Sequence, residues 1–451
     1  MTEAQLAPLL VSLTVLLATA HLFGYIAAKL RQPRFVGEIL AGVVLGPFVL
    51  GEIAPEATTT LLGDPGDVAD STRLVLDFLS ALGLLLLMFI SGSEVRRVLA
   101  REQRGPTCWI LGLGTVVPFA IAFALGAALS VDDLRGPHGG EVAFLLVLAT
   151  AAAVTSIPVI SRIFHDLGIL HTRFASLILG TAMLEDIALF AALAVATTLA
   201  LHGSDTVGAT LVSDLAVTSA YLLVGLLVAP KLLRAVVHRR WNVLARRQPV
   251  GYALVLMLAY TSVAAVLDTN VVFGAFLAGF GLVGGVAGTQ REWFASALDA
   301  IGTFAFASFV PLYFALVGTK LELGAGFSIA VLLVFLVGSS TLRTSFVALA
   351  SRLAGFGRRD ATDVAVAMNA RGGPGIVVAT IAFEAGIIAP RFFTALVITA
   401  IVTSQFTGWW LGRALRQRGE LLGERIGATA AAPHAERRTD SAAPARQPAP
   451  T

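Results

Sequence analysis

The sequence predicts an all-α polytopic membrane protein with about thirteen transmembrane helices, arranged as two inverted six-helix repeats with paired broken helices. Three observations carry that expectation. Of 451 residues, 56% are apolar and 14% charged, where a soluble globular chain carries roughly 25% charged residues. The mean hydropathy is +0.82. Two apolar runs, one in each half, are interrupted by Pro or Gly at corresponding places, as the discontinuous helices of inverted repeats are.

Apolar runs bounded by charge, Gly or Pro give spans at 6–28, 35–51, 73–92, 107–129, 140–164, 174–201, 207–233, 250–267, 270–288, 298–318, 326–350, 361–385 and 392–412. Each is near the length that a bilayer core requires. The first has no basic n-region and no small-residue cleavage site, so it reads as a span and not a cleaved signal peptide. With thirteen spans the loops alternate sides. One set, from Lys29 to Arg359, holds 19 Lys and Arg; the other holds four, Arg73, Arg135, Lys320 and Arg391. The excess of positive charge places the N-terminus outside and the C-terminus in the cytoplasm of a cell (cytoplasmic) membrane protein. Residues 418–451, rich in Ala, Pro and Arg, are expected to be a disordered cytoplasmic tail.

Composition also excludes chemistry. The single cysteine, Cys108, rules out a disulfide framework and a thiolate cluster, and the seven histidines show no HExxH spacing. No cofactor is expected, no enzyme, and no nucleic acid as partner. His165 and His171 read as solvated loop residues, with pH sensing the less favoured reading.

In the fifth span of the first half, ATAAAVTSIPVISRI, Pro158 cannot donate to the carbonyl of Val154, and Thr155 and Ser156 offer hydroxyls beside the gap. In the fifth span of the second half, AMNARGGPGIVVAT, Pro374 leaves the carbonyl of Ala370 free, and Gly372, Gly373 and Gly375 loosen the backbone. Freed carbonyls coordinate cations and helix ends supply partial charge. Pro-kinked helices are common in membranes, and it is the matched register that favours an ion site.

The sixth span carries Glu185 and Asp186 side by side, with apolar residues on both sides. Ionisable groups at membrane depth are costly and mark function. Adjacent helical residues project about 100° apart, so one acid can meet a cation while the other faces a water-filled cavity. The obvious basic partners are Arg343 and Arg371, which fall inside hydrophobic spans away from the loop clusters. A structural salt bridge and a functional role are both open for Glu185; for Asp186 function is favoured, because a dehydrated acid can trade a proton for a cation. Glu38 reads either as a funnel or packing residue or as an interfacial side chain, and Asn369 as a local cap of the broken helix ahead of an ion ligand.

The segments PRFVGEILAGVVLGP (33–47), AVTSIPVISRIFHDLGIL (153–170), the Glu185–Asp186 pair, FVPLYFALVG (309–318) and MNARGGPGIVVATIAFEAGII (368–388) together resemble the monovalent cation:proton antiporter-2 family. The resemblance implies a sodium/proton antiporter-like fold with a core bundle (about 105–201 and 325–417), a dimerising panel (about 6–92 and 249–318) and a linker helix (about 207–233). It implies a homodimer in the bilayer that exchanges Na+ or K+ for protons by alternating access. Asp186 matches the residue that transiently binds the metal cation and the proton, with Glu185, Thr155 and Ser156 beside it. Arg343 stands where relatives carry a basic residue, often Lys, paired with the first acid. Three departures stand out, the first being that relatives often have Asp, Asn or Gln where Glu185 stands. Relatives often carry a carboxylate soon after the arginine matching Arg371, where this chain has Gly372, Gly373 and Pro374. Arg in place of Lys excludes any cycle through a lysine proton, which leaves electrogenic and electroneutral exchange both open. Proton-coupled export of an organic cation or drug on the same fold is the alternative. A cation channel ranks lower because no filter sequence is present, as do sodium-driven organic-anion symport and an intramembrane protease.

Overall fold

The computed structural model describes residues 3–425 apart from 31, 64–70, 96–103, 130, 171, 203–208, 238, 240, 241, 286–289, 325 and 423. The first long helices are α1 (Glu3–Lys29), α2 (Arg34–Leu45) and α3 (Ser71–Val95). Helix α4 consists of Arg104–Trp109, a π-helical turn at Ile110–Val116, and Val117–Ala128. Two half-helices follow, α5 (Glu141–Ala153) and α6 (Ile157–Asp166), and then α7 (Arg173–His202). Helix α8 joins Ala209–Leu223, a π-helical turn at Val224–Val228, and Ala229–Val237. Next come α9 (Pro249–Val266), α10 (Val271–Gly285), α11 (Gln290–Ala307), α12 (Phe309–Thr319) and α13 (Ile329–Leu353). A second pair of half-helices, α14 (Arg358–Ala367) and α15 (Gly372–Glu384), precedes α16 (Pro390–Arg418).

Among the described residues ten helical segments are long and apolar enough to cross a membrane, or eleven if α14 and α15, bent by 42°, form one span. The apolar stretches Glu141–Ala153 and Val271–Val283 are shorter. The count among the described residues is thus ten or eleven where thirteen is expected from the sequence, and α5 stops at its break. Large apolar side chains such as Leu10, Tyr25, Val263 and Val334 point outward, where lipid tails replace water as the solvent.

The helices sort into two packed groups. In one, α2 lies between α1 and α12, α12 packs on α3, and α3 on α10, which also touches α8 and α9. Glycines set these distances. A Cβ at Gly42 would fall on the Ala315 carbonyl, and one at Gly318 on the Ile39 carbonyl, so α2 and α12 meet backbone to backbone. In the other group α5 packs on α4 and α7, α13 on α4, α14 and α16, and α15 on α16. The groups touch where Tyr313 donates to Thr380 Oγ1 at 3.1 Å and Lys320 pairs with Glu384 at 2.9 Å.

Helix α16 runs on to Arg418, where Gly419 closes it at φ +67°. Arg418 pairs with Asp363 on α14, whose other carboxylate oxygen accepts from Trp410 Nε1 at 3.0 Å. A short hairpin follows, Glu420–Leu421 against Glu424–Arg425, with Leu421 buried. The described chain runs past residue 418, where a buried leucine and an ion pair tie it to α14 and its surroundings. Residues 426–451 lie outside the described region.

Candidate ion-binding site

The two breaks meet. Helix α5 ends at Ala153, residues 154–156 are non-helical with Val154 extended, and Ser156 N donates to the Ala370 carbonyl at 2.6 Å. Thr155 Oγ1 donates to the Met368 carbonyl at 2.6 Å. The Ala370 carbonyl, predicted to be free, is thus taken by the other break. The prolines sit just beyond the breaks, Pro158 second in α6 and Pro374 third in α15, because Pro needs no hydrogen-bond partner in a first helical turn. The Pro158 and His165 side chains and all of His171 lie outside the described residues. Gly372 has φ +36°, and a Cβ there would meet Val159 and lie 2.7 Å from Ser156 Oγ. Only glycine suits both the left-handed backbone and the close crossing.

Helix α7 passes this crossing with Glu185 and Asp186, both fully buried. Glu185 Oε2 pairs with Arg343 Nη2 at 2.7 Å, and its Oε1 accepts from the Thr115 hydroxyl. Arg343 also donates through Nε to the Met368 carbonyl at 2.9 Å, through Nη1 to the Gly114 carbonyl at 3.3 Å, and through Nη2 to Thr155 Oγ1. One guanidinium thereby ties α4, α7 and both breaks together. A buried pair of this kind is held by its additional hydrogen bonds, which satisfy what the ion pair alone leaves open. Both Oδ atoms of Asp186, in contrast, are buried without a hydrogen-bond partner among the described residues.

Arg371 is buried 32 residues from the nearest partner in sequence, with Nη1 donating to Ser339 Oγ at 2.8 Å and Nη2 to the Ala152 carbonyl at 3.3 Å. Its guanidinium lies 5.4 Å from the Phe335 ring centroid, a cation–π distance. Among the described residues it has no carboxylate partner, so of the two predicted arginines only Arg343 meets an acid. Gly372 N donates to Ser404 Oγ at 3.0 Å; Gly373 and Pro374 continue into α15. Asn369 is buried with Oδ1 unpartnered, so that atom caps nothing among the described residues.

Two cavities flank the crossing between the helix groups. One of about 330 Å³ is lined by Glu38, Ser91, Val159, Gly373 and Pro374. The other, about 650 Å³, is lined by Asp77, Asp268, Tyr313, Lys320 and Glu384. Asp186 lines neither of these two cavities; its carboxylate is fully buried beside the crossing. Sequence reading missed Thr115, Gly114 and Ser339. Hydroxyls and glycines inside apolar runs carry no signal without a partner, and the partners lie from 32 to 229 positions away.

A helical membrane protein whose two broken helices cross beside a buried acid pair has the antiporter architecture. The solved structure of the sodium proton antiporter MjNhaP1 from Methanocaldococcus jannaschii superposes with a TM-score of 0.61 at 17% identity, covering 93% of this chain and 100% of that one. The chain belongs to the sodium/hydrogen exchanger transmembrane family, whose profile matches residues 15–417. It is 25% identical over 398 residues to the Na(+)/H(+)-K(+) antiporter GerN of Bacillus cereus, covering 88% of this chain and 93% of that protein. It is 25% identical over 405 residues to the Na(+)/H(+) antiporter NhaS4 of Synechocystis, covering 88% and 95%. The K(+)/H(+) antiporter 1 of Saccharomyces cerevisiae is 26% identical over 399 residues, covering 84% of this chain and 43% of that protein.

Proposed function

We propose that this protein is a secondary antiporter that exchanges a monovalent cation, Na+ or K+, for protons, with Asp186 as the carboxylate that the two ions share. The supporting observation is the contrast within the acid pair. Glu185 has both oxygens engaged, by Arg343 and Thr115, while Asp186 has two buried oxygens without a donor among the described residues. A bare buried carboxylate is unfavourable and is relieved either by a proton or by a desolvated cation, not by both. Competition for one site then couples the two fluxes. Thr155 and Ser156 stand beside the site as candidate oxygen ligands, and Arg343 and Arg371 compensate charge.

Alternating access follows if the group containing α4–α7 and α13–α16 moves past the group containing α1–α3 and α9–α12, with α8 as linker. The glycine contacts within the second group and the two cavities at the boundary between the groups support that division. The halves before and after α8 are inverted repeats, the protein is a homodimer joined through the panel in a cytoplasmic membrane, and the N-terminus is outside. It carries out transport, with no chemical conversion of its substrates.

The test is dissipation of an imposed pH gradient in proteoliposomes, with sodium, potassium and lithium added in turn. Wild type is expected to release the gradient with the transported cation, and its KM for that cation to rise as pH falls while the maximal rate holds, since protons compete for the same oxygens. Asp186→Asn is expected to be inactive. Exchange at wild-type rate in that variant would remove Asp186 from the mechanism.

A further inference from the structure

The π-helical turn of α4 lies within the site. A π-turn inserts an extra residue into a helix and re-aims the side chains after it. Here the turn covers Ile110–Val116 and delivers two groups to the acid pair: the Thr115 hydroxyl, which donates to Glu185 Oε1, and the Gly114 carbonyl, which accepts from Arg343 Nη1 at 3.3 Å. Thr115 is 3% exposed and Glu185 is fully buried, so water does not compete for that oxygen. We infer that Thr115 is a positioning residue, whose hydroxyl, aimed by the π-turn, holds Glu185 on Arg343 and withholds it from the cation at Asp186. This rests on the proposed role of Asp186.

Without the hydroxyl, Glu185 Oε1 is a buried charged oxygen with no donor. Oε2 stays on Arg343, and the freed Oε1 gains from a further cation, which the transported ion, one residue away at Asp186, supplies. Two carboxylates in place of one bind a desolvated monovalent ion more tightly and release it more slowly. Thr115→Val, which keeps the shape, is therefore expected to lower the KM for the transported cation by about tenfold and the maximal rate by a similar factor, on the scale of one lost hydrogen bond to a buried charged group. Thr115→Ser, which keeps the donor, is expected to return both values to within about twofold of wild type, since a serine hydroxyl offers the same donor. Thr115→Ala is expected to match the valine variant and stands in for it if valine does not insert.

The measurement is cation-driven dissipation of a pH gradient in proteoliposomes, with Asp186→Asn in parallel. A fall of KM together with the maximal rate, reversed by serine, supports the inference. A slower variant with KM unchanged or raised, or failure of serine to restore it, overturns the inference. If Asp186→Asn still exchanges, it is the shared-carboxylate reading that fails; if it is inactive and KM in Thr115→Val does not move, only the role of Thr115 fails.

Discussion

Replacing Arg343 by methionine tests the centre of the site. The side chain is fully buried and makes hydrogen bonds to the Met368 and Gly114 carbonyls, Thr155 and Glu185. Methionine leaves Glu185 buried and charged beside Asp186, with Thr115 as its remaining donor. Removing one partner of a buried pair typically costs about 3–5 kcal/mol, so the single variant is expected to lose stability on that scale. Glu185→Leu combined with Arg343→Met removes both charges. What then remains is the loss of hydrogen bonds to two carbonyls and to the Thr155 and Thr115 hydroxyls, and Thr155 still donates to one of those carbonyls. At about 1 kcal/mol for each of the three uncompensated hydrogen bonds, the double variant should lie within about 3 kcal/mol of wild type and above the single one. Unfolding by SDS in mixed micelles reads all members of the cycle, and the coupling is the departure from additivity. A coupling near zero, or a double variant less stable than Arg343→Met, would refute the account of an ion pair that matters because each charge is stranded without the other.

Two further substitutions probe the crossing and the packing behind it. Gly372→Ala is expected to lower the melting temperature and abolish exchange, since a left-handed backbone costs about 1–2 kcal/mol for a residue with a Cβ and the new methyl meets Val159 and Ser156. Gly373→Ala, whose Cβ has nothing within 4 Å among the described residues, should stay near wild type in the same melting and flux assays. Gly318→Ala drives a methyl into the Ile39 carbonyl and is expected to cost about 1–3 kcal/mol of overpacking, seen as a lower melting temperature, whereas Gly338→Ala, with nothing within 4 Å of its Cβ among the described residues, should not.

Much of the frame was legible because apolar runs and buried charge are strong signals in a membrane chain. Glu185, Asp186, Arg343 and Arg371 stood out as ionisable residues inside such runs, and Pro158 and Pro374 pointed at the two breaks. Their exact placement was not legible. Proline marks where a half-helix begins and not where its predecessor ends, so the gap falls at 154–156, and the carbonyl expected to be free at Ala370 is satisfied by a chain more than 200 residues earlier. Which arginine meets which acid is also a tertiary fact. Arg371 finds Ser339, the Ala152 carbonyl and a phenylalanine face, none of which a composition window distinguishes from ordinary apolar helix. The π-turn at Ile110–Val116 has no sequence mark at all.

The tie between Arg418 and Asp363 bears on where the transport unit ends. The stretch that matches the family stops at residue 417, one position short of the guanidinium that neutralises a buried acid on the half-helix leading into the crossing. Trimming the gene at that point would strip the neutralising partner, and the hairpin that seals Leu421 would go with it. An expression tag fused directly after residue 417 would carry the same fault, so the working boundary for engineering lies beyond Arg425.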